Sequence, residues 1–148
     1  MRPIMLALST FRESDKAIRL AIEESRKTGR LVVVFVADVN LARYFVGTDV
    51  GMFPELKESY EEEVLKEHRR RGEEIARVIE EKAVEHGIVV RTRVEIGRFA
   101  LVCLDVARTE NPQLIITTRS KRPKWVKHFF GSPVDDLIAH AGCPVVEA

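Results

Sequence analysis

The chain has 148 residues, 45% of them apolar and 32% charged, with a net charge of +1. That length suffices for one domain with a buried core, and the lack of any apolar run of membrane-spanning length argues against a helical membrane protein. A charge so near zero supplies no bulk field to draw the chain onto nucleic acid or a membrane surface.

Pro3–Leu8 reads as a short buried strand. Ser14 is placed as an N-cap, with Asp15 in the first turn and Ala17, Ile18, Ala21 and Ile22 at helical spacing. Lys27 lies near the end of that helix and Gly29 fits a left-handed stop. Leu31–Val36 is a β-branched run without alternation, the mark of a strand covered on both faces. Asn40–Phe53, with Gly47 and Gly51, reads as a loop.

Pro54–His86 carries the longest helical pattern, with one stripe of Leu56, Tyr60 and Val64 continued by Ile75, Ile79 and Ala83. Between Leu65 and Ile75 the pattern is polar, so Lys66–Glu74 is expected to be a solvated face. Gly72, inside it, fits either solvation or a close backbone approach. Ile88–Ile96 is a third strand, Phe99–Thr109 a third helix and Leu114–Thr117 a fourth strand. Ser132–Ala141 and Pro144–Val146 close the chain as helix and strand.

Strands alternating with helices imply an α/β protein: one domain over 1–148, a doubly wound five-stranded parallel sheet with helices on both faces. In such sheets ligands bind beyond the carboxyl ends of the strands, where the strand order reverses. The loops to watch are Ser9–Glu13, Ala37–Asn40, Gly97–Arg98 and Thr118–Phe130. The last leads into Ser132-Pro133-Val134-Asp135, where Ser132 and Asp135 form a capping box and Pro133 fits the first helical position. Capping alone explains these residues. A functional reading adds the cations Arg119, Lys121, Arg122, Lys124 and Lys127, which with a helix N-terminus suit a phosphate. Trp125, Phe129 and Phe130 lie among those cations, a weak pattern for single-stranded nucleic acid and a common one for anchoring a loop.

No Gly-x-Ser-x-Gly, Walker or Gly-x-Gly-x-x-Gly motif is present, and His68, His86, His128 and His140 lack ligand-type partners at i,i+4. No catalytic residue and no metal site is therefore assigned. His86 and His140 fall in last helical turns, where a cation is mildly favourable. Cys103 and Cys143 read as reduced, partly buried thiols. Met1–Leu8 is too short and too weakly basic for a signal peptide, so a cytoplasmic location is expected.

The whole pattern resembles the universal stress protein family. The resemblance rests on Ile4–Leu8 followed by Ser14 and Ala17, on Gly97, on Leu114-Ile115-Ile116, on Gly131-Ser132 and on Ala141–Val146. It implies an adenine nucleotide alpha hydrolase-like, Rossmann-like fold, and a regulatory or binding domain. Family members that hold ATP carry G-x-x-G, nine residues, then G-[S/T]. Here Thr117 and Ser120 stand at the first two glycines, ten residues separate Ser120 from Gly131, and only Gly131 and Ser132 match. Ser9 replaces the family's acidic residue after the first strand, beside Thr10 and Phe11, and Pro133 removes one N–H.

By the resemblance, ATP or another adenine nucleotide would sit against Ala7, Ser9, Thr10 and Val36, with Gly97 beside them. Its phosphates would meet Thr117, Thr118, Arg119, Ser120 and Lys121, then Gly131 and Ser132. Three readings follow: a regulatory domain with an altered nucleotide site, a true ATP or AMP binder with slow ATP hydrolysis at most, or an interaction module using Arg119–Phe130 on an acidic partner or RNA. The resemblance also implies a homodimer through the C-terminal edge strand Pro144–Ala148; nucleic acid and membrane are not the expected partners.

Overall fold

The computed structural model describes residues 1–10, 15–39, 54–118 and 133–148, side chains 54–57 and 133 excepted. The elements are β1 (Ile4–Ser9), α1 (Asp15–Thr28), β2 (Arg30–Asp38), α2 (Pro54–Glu85), β3 (Val89–Gly97), α3 (Phe99–Glu110), β4 (Leu114–Thr117), α4 (Pro133–His140) and β5 (Val145–Glu147). They build a five-stranded sheet in the order β3-β2-β1-β4-β5, and every neighbouring pair is parallel. The doubly wound α/β architecture expected from the sequence is the one observed.

Alternation along the strands divides the core. Ile4, Leu6 and Leu8 of β1, with Leu31, Val33 and Phe35 of β2, face α1 and α2. Met5 and Ala7, with Val32, Val34 and Val36, face Phe99, Cys103 and Val106 of α3 and Leu137 of α4. Both central strands are buried along their length except Arg30, which explains why they read as continuous apolar runs. A buried leucine or valine contributes about 1.5–3 kcal/mol, so β1 and β2 anchor the fold.

Several strand limits differ from those expected. β2 extends through Ala37 and Asp38, which the sequence pattern assigned to a loop, because β3 pairs with it over nine positions, up to Asp38 opposite Gly97. Gly97 therefore ends a strand. β1 and β5 are each displaced one residue toward the C-terminus; Pro144 offers only its carbonyl, which accepts from the Ile115 N–H at 3.0 Å.

The apolar stripe of α2 also divides. Ile79 and Ala83 are buried as expected, but Tyr60 is 45% exposed, because burial against the sheet begins only at Gly72. Lys66–Glu74 is exposed apart from half-buried His68 and buried Gly72. A side chain at Gly72 would run into the Phe35 ring, so the close-approach reading holds there. At the other end of the sheet, Arg2 donates from Nη2 to the Pro112 carbonyl at 2.8 Å, and Gln113 donates from Nε2 to the Arg2 carbonyl at 2.7 Å. These bonds tie the start of β1 to the turn before β4. Asn111, left-handed at φ 49, ends α3. Cys103 is buried, Cys143 half-buried, and both are free thiols. His140 closes α4, its Nδ1 3.0 Å from the Asp136 carbonyl oxygen.

Candidate functional site at the fork between β1 and β4

The chain winds outward in two directions from β1: to β2 and β3 on one side, to β4 and β5 on the other. The crevice at such a reversal lies beyond the carboxyl ends of the two strands that meet there. Those ends carry Ser9 and Thr10 from β1 and Thr117 and Thr118 from β4, all four buried. The register sets Ala7 opposite Thr117 and Ser9 opposite Val36. Four hydroxyls therefore gather at one fork, walled by Ala7 and Val36, both fully buried.

Their hydrogen bonds assign them different roles. Thr117 donates from Oγ1 to the Ala7 carbonyl at 2.9 Å, a side-chain tie across the fork. Ser9 donates from Oγ to the Thr10 carbonyl at 3.3 Å. Thr10 differs: its Oγ1 is buried and has no hydrogen-bond partner among the described residues. A buried hydroxyl left so costs about 1–3 kcal/mol, so it stands to gain from a polar ligand atom at the fork.

Gly97 stands apart, at the end of edge strand β3 with β2 between it and β1. A Cβ on Gly97 would lie 2.9 Å from Val102 Cγ2, so packing of α3 on the strand explains the glycine without a ligand. Asp38 is a residue that sequence reasoning passed over. It ends β2 on the same rim and is buried to 1% exposure; its signal was an acid closing the apolar run Leu31–Ala37.

Arg119, Ser120, Lys121, Gly131 and Ser132 lie outside the described residues, as do Ser14 and residues 40–53 and 119–130, which the sequence pattern assigned to loops. β4 ends at Thr117, and Thr118 follows it. Helix α4 brings Asp135 and Asp136 into its first turn. Both are exposed acids that complement the helix dipole, and Pro133 supplies no N–H.

A cavity of about 710 Å³ lies elsewhere, between α1 and α2, lined by Asp15, Ile18, Arg70, Glu74, Ile75 and Val78 among others. Arg70 bridges Glu67 at 2.6 Å and Glu74 at 2.5 Å. The hydrogen bond from Arg70 holds the Glu67 carboxyl below the usual carboxylate range. These charges satisfy one another on an exposed helix face. Among the described residues, no group of three or more His, Cys, Asp or Glu is placed to hold a metal, and no helix is long and apolar enough to cross a membrane.

A doubly wound parallel sheet with its crevice at a central fork defines the general class of α/β protein. Residues 1–146 match the universal stress protein family, and the chain belongs to it. The structure is similar to universal stress protein UspA from Lactobacillus plantarum, at 18% identity over 99% of this chain and 98% of that one, with a TM-score of 0.69. It is also similar to a universal stress protein from Archaeoglobus fulgidus in complex with dAMP, at 19% identity over 99% and 96%, with a TM-score of 0.55. A third neighbour is a universal stress protein in complex with cAMP, at 11% identity over 100% and 98%, with a TM-score of 0.59. No curated protein sequence matches the chain.

Proposed function

We propose that the chain is a regulatory binding module that takes an adenine nucleotide at the β1–β4 fork and favours nucleoside monophosphates over ATP. The observation that carries this reading is the buried Thr10 hydroxyl, without a partner among the described residues, at the reversal point of the sheet. Two structural neighbours in complex with dAMP and cAMP support the ligand class. The preference for a single phosphate follows from the acids Asp135 and Asp136 and the missing N–H of Pro133 at α4. Thr117 and Ser120, standing where the family's first two glycines would be, replace part of an amide cradle with side chains. The module works as a homodimer, in keeping with the open edge of β5.

Thermal-shift titration with AMP, cAMP and ATP tests the reading, on the parent chain and on Thr10→Val. The expected result is a shift with the monophosphates, a smaller one with ATP, and loss of most of the AMP shift in Thr10→Val. Absence of any shift at millimolar nucleotide would overturn it.

A further inference from the structure

β3 closes one side of the sheet with nine residues, whereas the opposite edge, β5, has three. One bond fixes which backbone groups β3 offers outward. The Val89 N–H donates to the Gly29 carbonyl at 2.9 Å, and Val89 stands opposite Arg30. In a parallel ladder this turns both backbone groups of Val89, and of every second residue after it, toward β2. Val90, Thr92, Val94 and Ile96 then direct their N–H and C=O groups away from the sheet. Among the described residues no backbone bond reaches these groups from outside the sheet. The side chains alternate as well. Val90 and Val94 pack against the core under α1 and α2, while Arg91, Arg93 and Glu95 lie on the opposite face. Arg93 and Glu95 are 3.2 Å apart.

We infer that β3 is a self-pairing edge, receiving the β3 of a second copy antiparallel to itself about a two-fold axis at Val94. A two-fold requires facing residue numbers to have a constant sum, and hydrogen bonding requires the outward-directed residues to face one another. Charge then selects among the central registers. An axis at Thr92 sets Arg91 against Arg93, an axis at Arg93 sets that residue against itself, and an axis at Glu95 sets two carboxylates together. Like charges directly opposite destabilise a strand pair. The axis at Val94 avoids all three. It places Arg93 opposite Glu95 of the second copy twice, Val94 against Val94, and Thr92 against Ile96, which is 42% exposed in the single chain. Charges on an edge strand often serve to repel other strands. An alternation of sign that becomes complementary in one register is a poor repellent for a copy of itself.

The test is sedimentation velocity of the full chain from micromolar to millimolar concentration, in a Glu147→Pro background that blocks pairing at β5. Concentration-dependent dimer should persist there. Thr92→Pro removes an outward N–H while leaving the ladder to β2 intact, and should give monomer with an unchanged circular-dichroism spectrum. Arg93→Glu should weaken the dimer about tenfold or more, and adding Glu95→Arg should restore it. If Thr92→Pro perturbs folding, the charge pair decides alone. A monomer at every concentration, or a double swap that fails to restore association, overturns the inference.

Discussion

Gly72 of α2 rests against the ring of Phe35 in β2: a Cβ at position 72 would lie 2.7 Å from Cγ and Cε1 of that ring. Phe35 is fully buried. In an exposed helix interior, alanine is favoured over glycine by about 1 kcal/mol. Here overpacking, which costs about 1–3 kcal/mol, reverses the sign. Gly72→Ala should lower stability by up to about 2 kcal/mol in urea melts, the difference of those two effects. In a Phe35→Leu background the same change should become neutral or stabilising. Additive losses in the double variant would count against the contact.

Thr117 should be worth its hydrogen bond and little more. Thr117→Val keeps the volume and deletes the donor to the Ala7 carbonyl, so a loss of about 0.5–1.5 kcal/mol is expected in chemical denaturation. Thr10→Val, by contrast, deletes a buried hydroxyl without a described partner. Without ligand it should be neutral or slightly stabilising. A stability loss above about 2 kcal/mol would show that the hydroxyl is already satisfied in the ligand-free protein.

Glu147→Pro should dissociate a dimer built on β5. Ala148 donates its N–H to the Thr117 carbonyl at 2.8 Å, and the Ile115 N–H donates to the Pro144 carbonyl at 3.0 Å. By alternation, Glu147 turns its own N–H outward. Proline there spares the bonds to β4 and removes one from any added strand. Light scattering at fixed concentration reads the mass; the substitution should remove association through β5 and leave the β3 pair, and a mass unchanged by it would show that β5 carries no interface.

Cys143 should be a sluggish nucleophile. Burial pushes its thiol pKa up, partly opposed by the charge of Arg2. Because the folded value exceeds the unfolded one, the neutral thiol's contribution to stability is fully present below the unfolded pKa. It is lost as pH rises through the folded pKa. Iodoacetamide at mildly alkaline pH should label Cys143 more slowly than free cysteine, and buried Cys103 only on unfolding. Cys143→Ser should flatten the alkaline limb of the stability profile. Labelling of Cys143 at the rate of free cysteine would refute the shift.

The central strands were legible because burial on both faces leaves an unbroken apolar run, as in Leu31–Val36. What lay beyond was fixed by pairing: Ala37 and Asp38 are strand because β3 lies alongside them, and no local propensity says so. Tyr60 misled for a related reason. Helical spacing shows which residues share a stripe, not how far the sheet extends beneath it. At the fork, chain order and the reversal rule led to Ser9, Thr10 and Thr118, and the family resemblance added Thr117. Their division into tied and unpartnered hydroxyls depends on atomic contacts that residue types do not encode.

The proportions of α2 have a mechanical consequence. At 1.5 Å per residue its 32 residues span about 48 Å, against about 30 Å for the nine of β2. No described side chain from 58 to 71 is fully buried, so Gly72, seated on Phe35, is the first firm bearing point. The arm from Pro54 to Gly72 is longer than the one from Gly72 to Glu85, about 27 Å against about 20 Å. A slight tilt of the helix about that bearing is therefore magnified toward Tyr60, and a load applied near Tyr60 reaches the sheet with leverage, directed at the strand beside the fork.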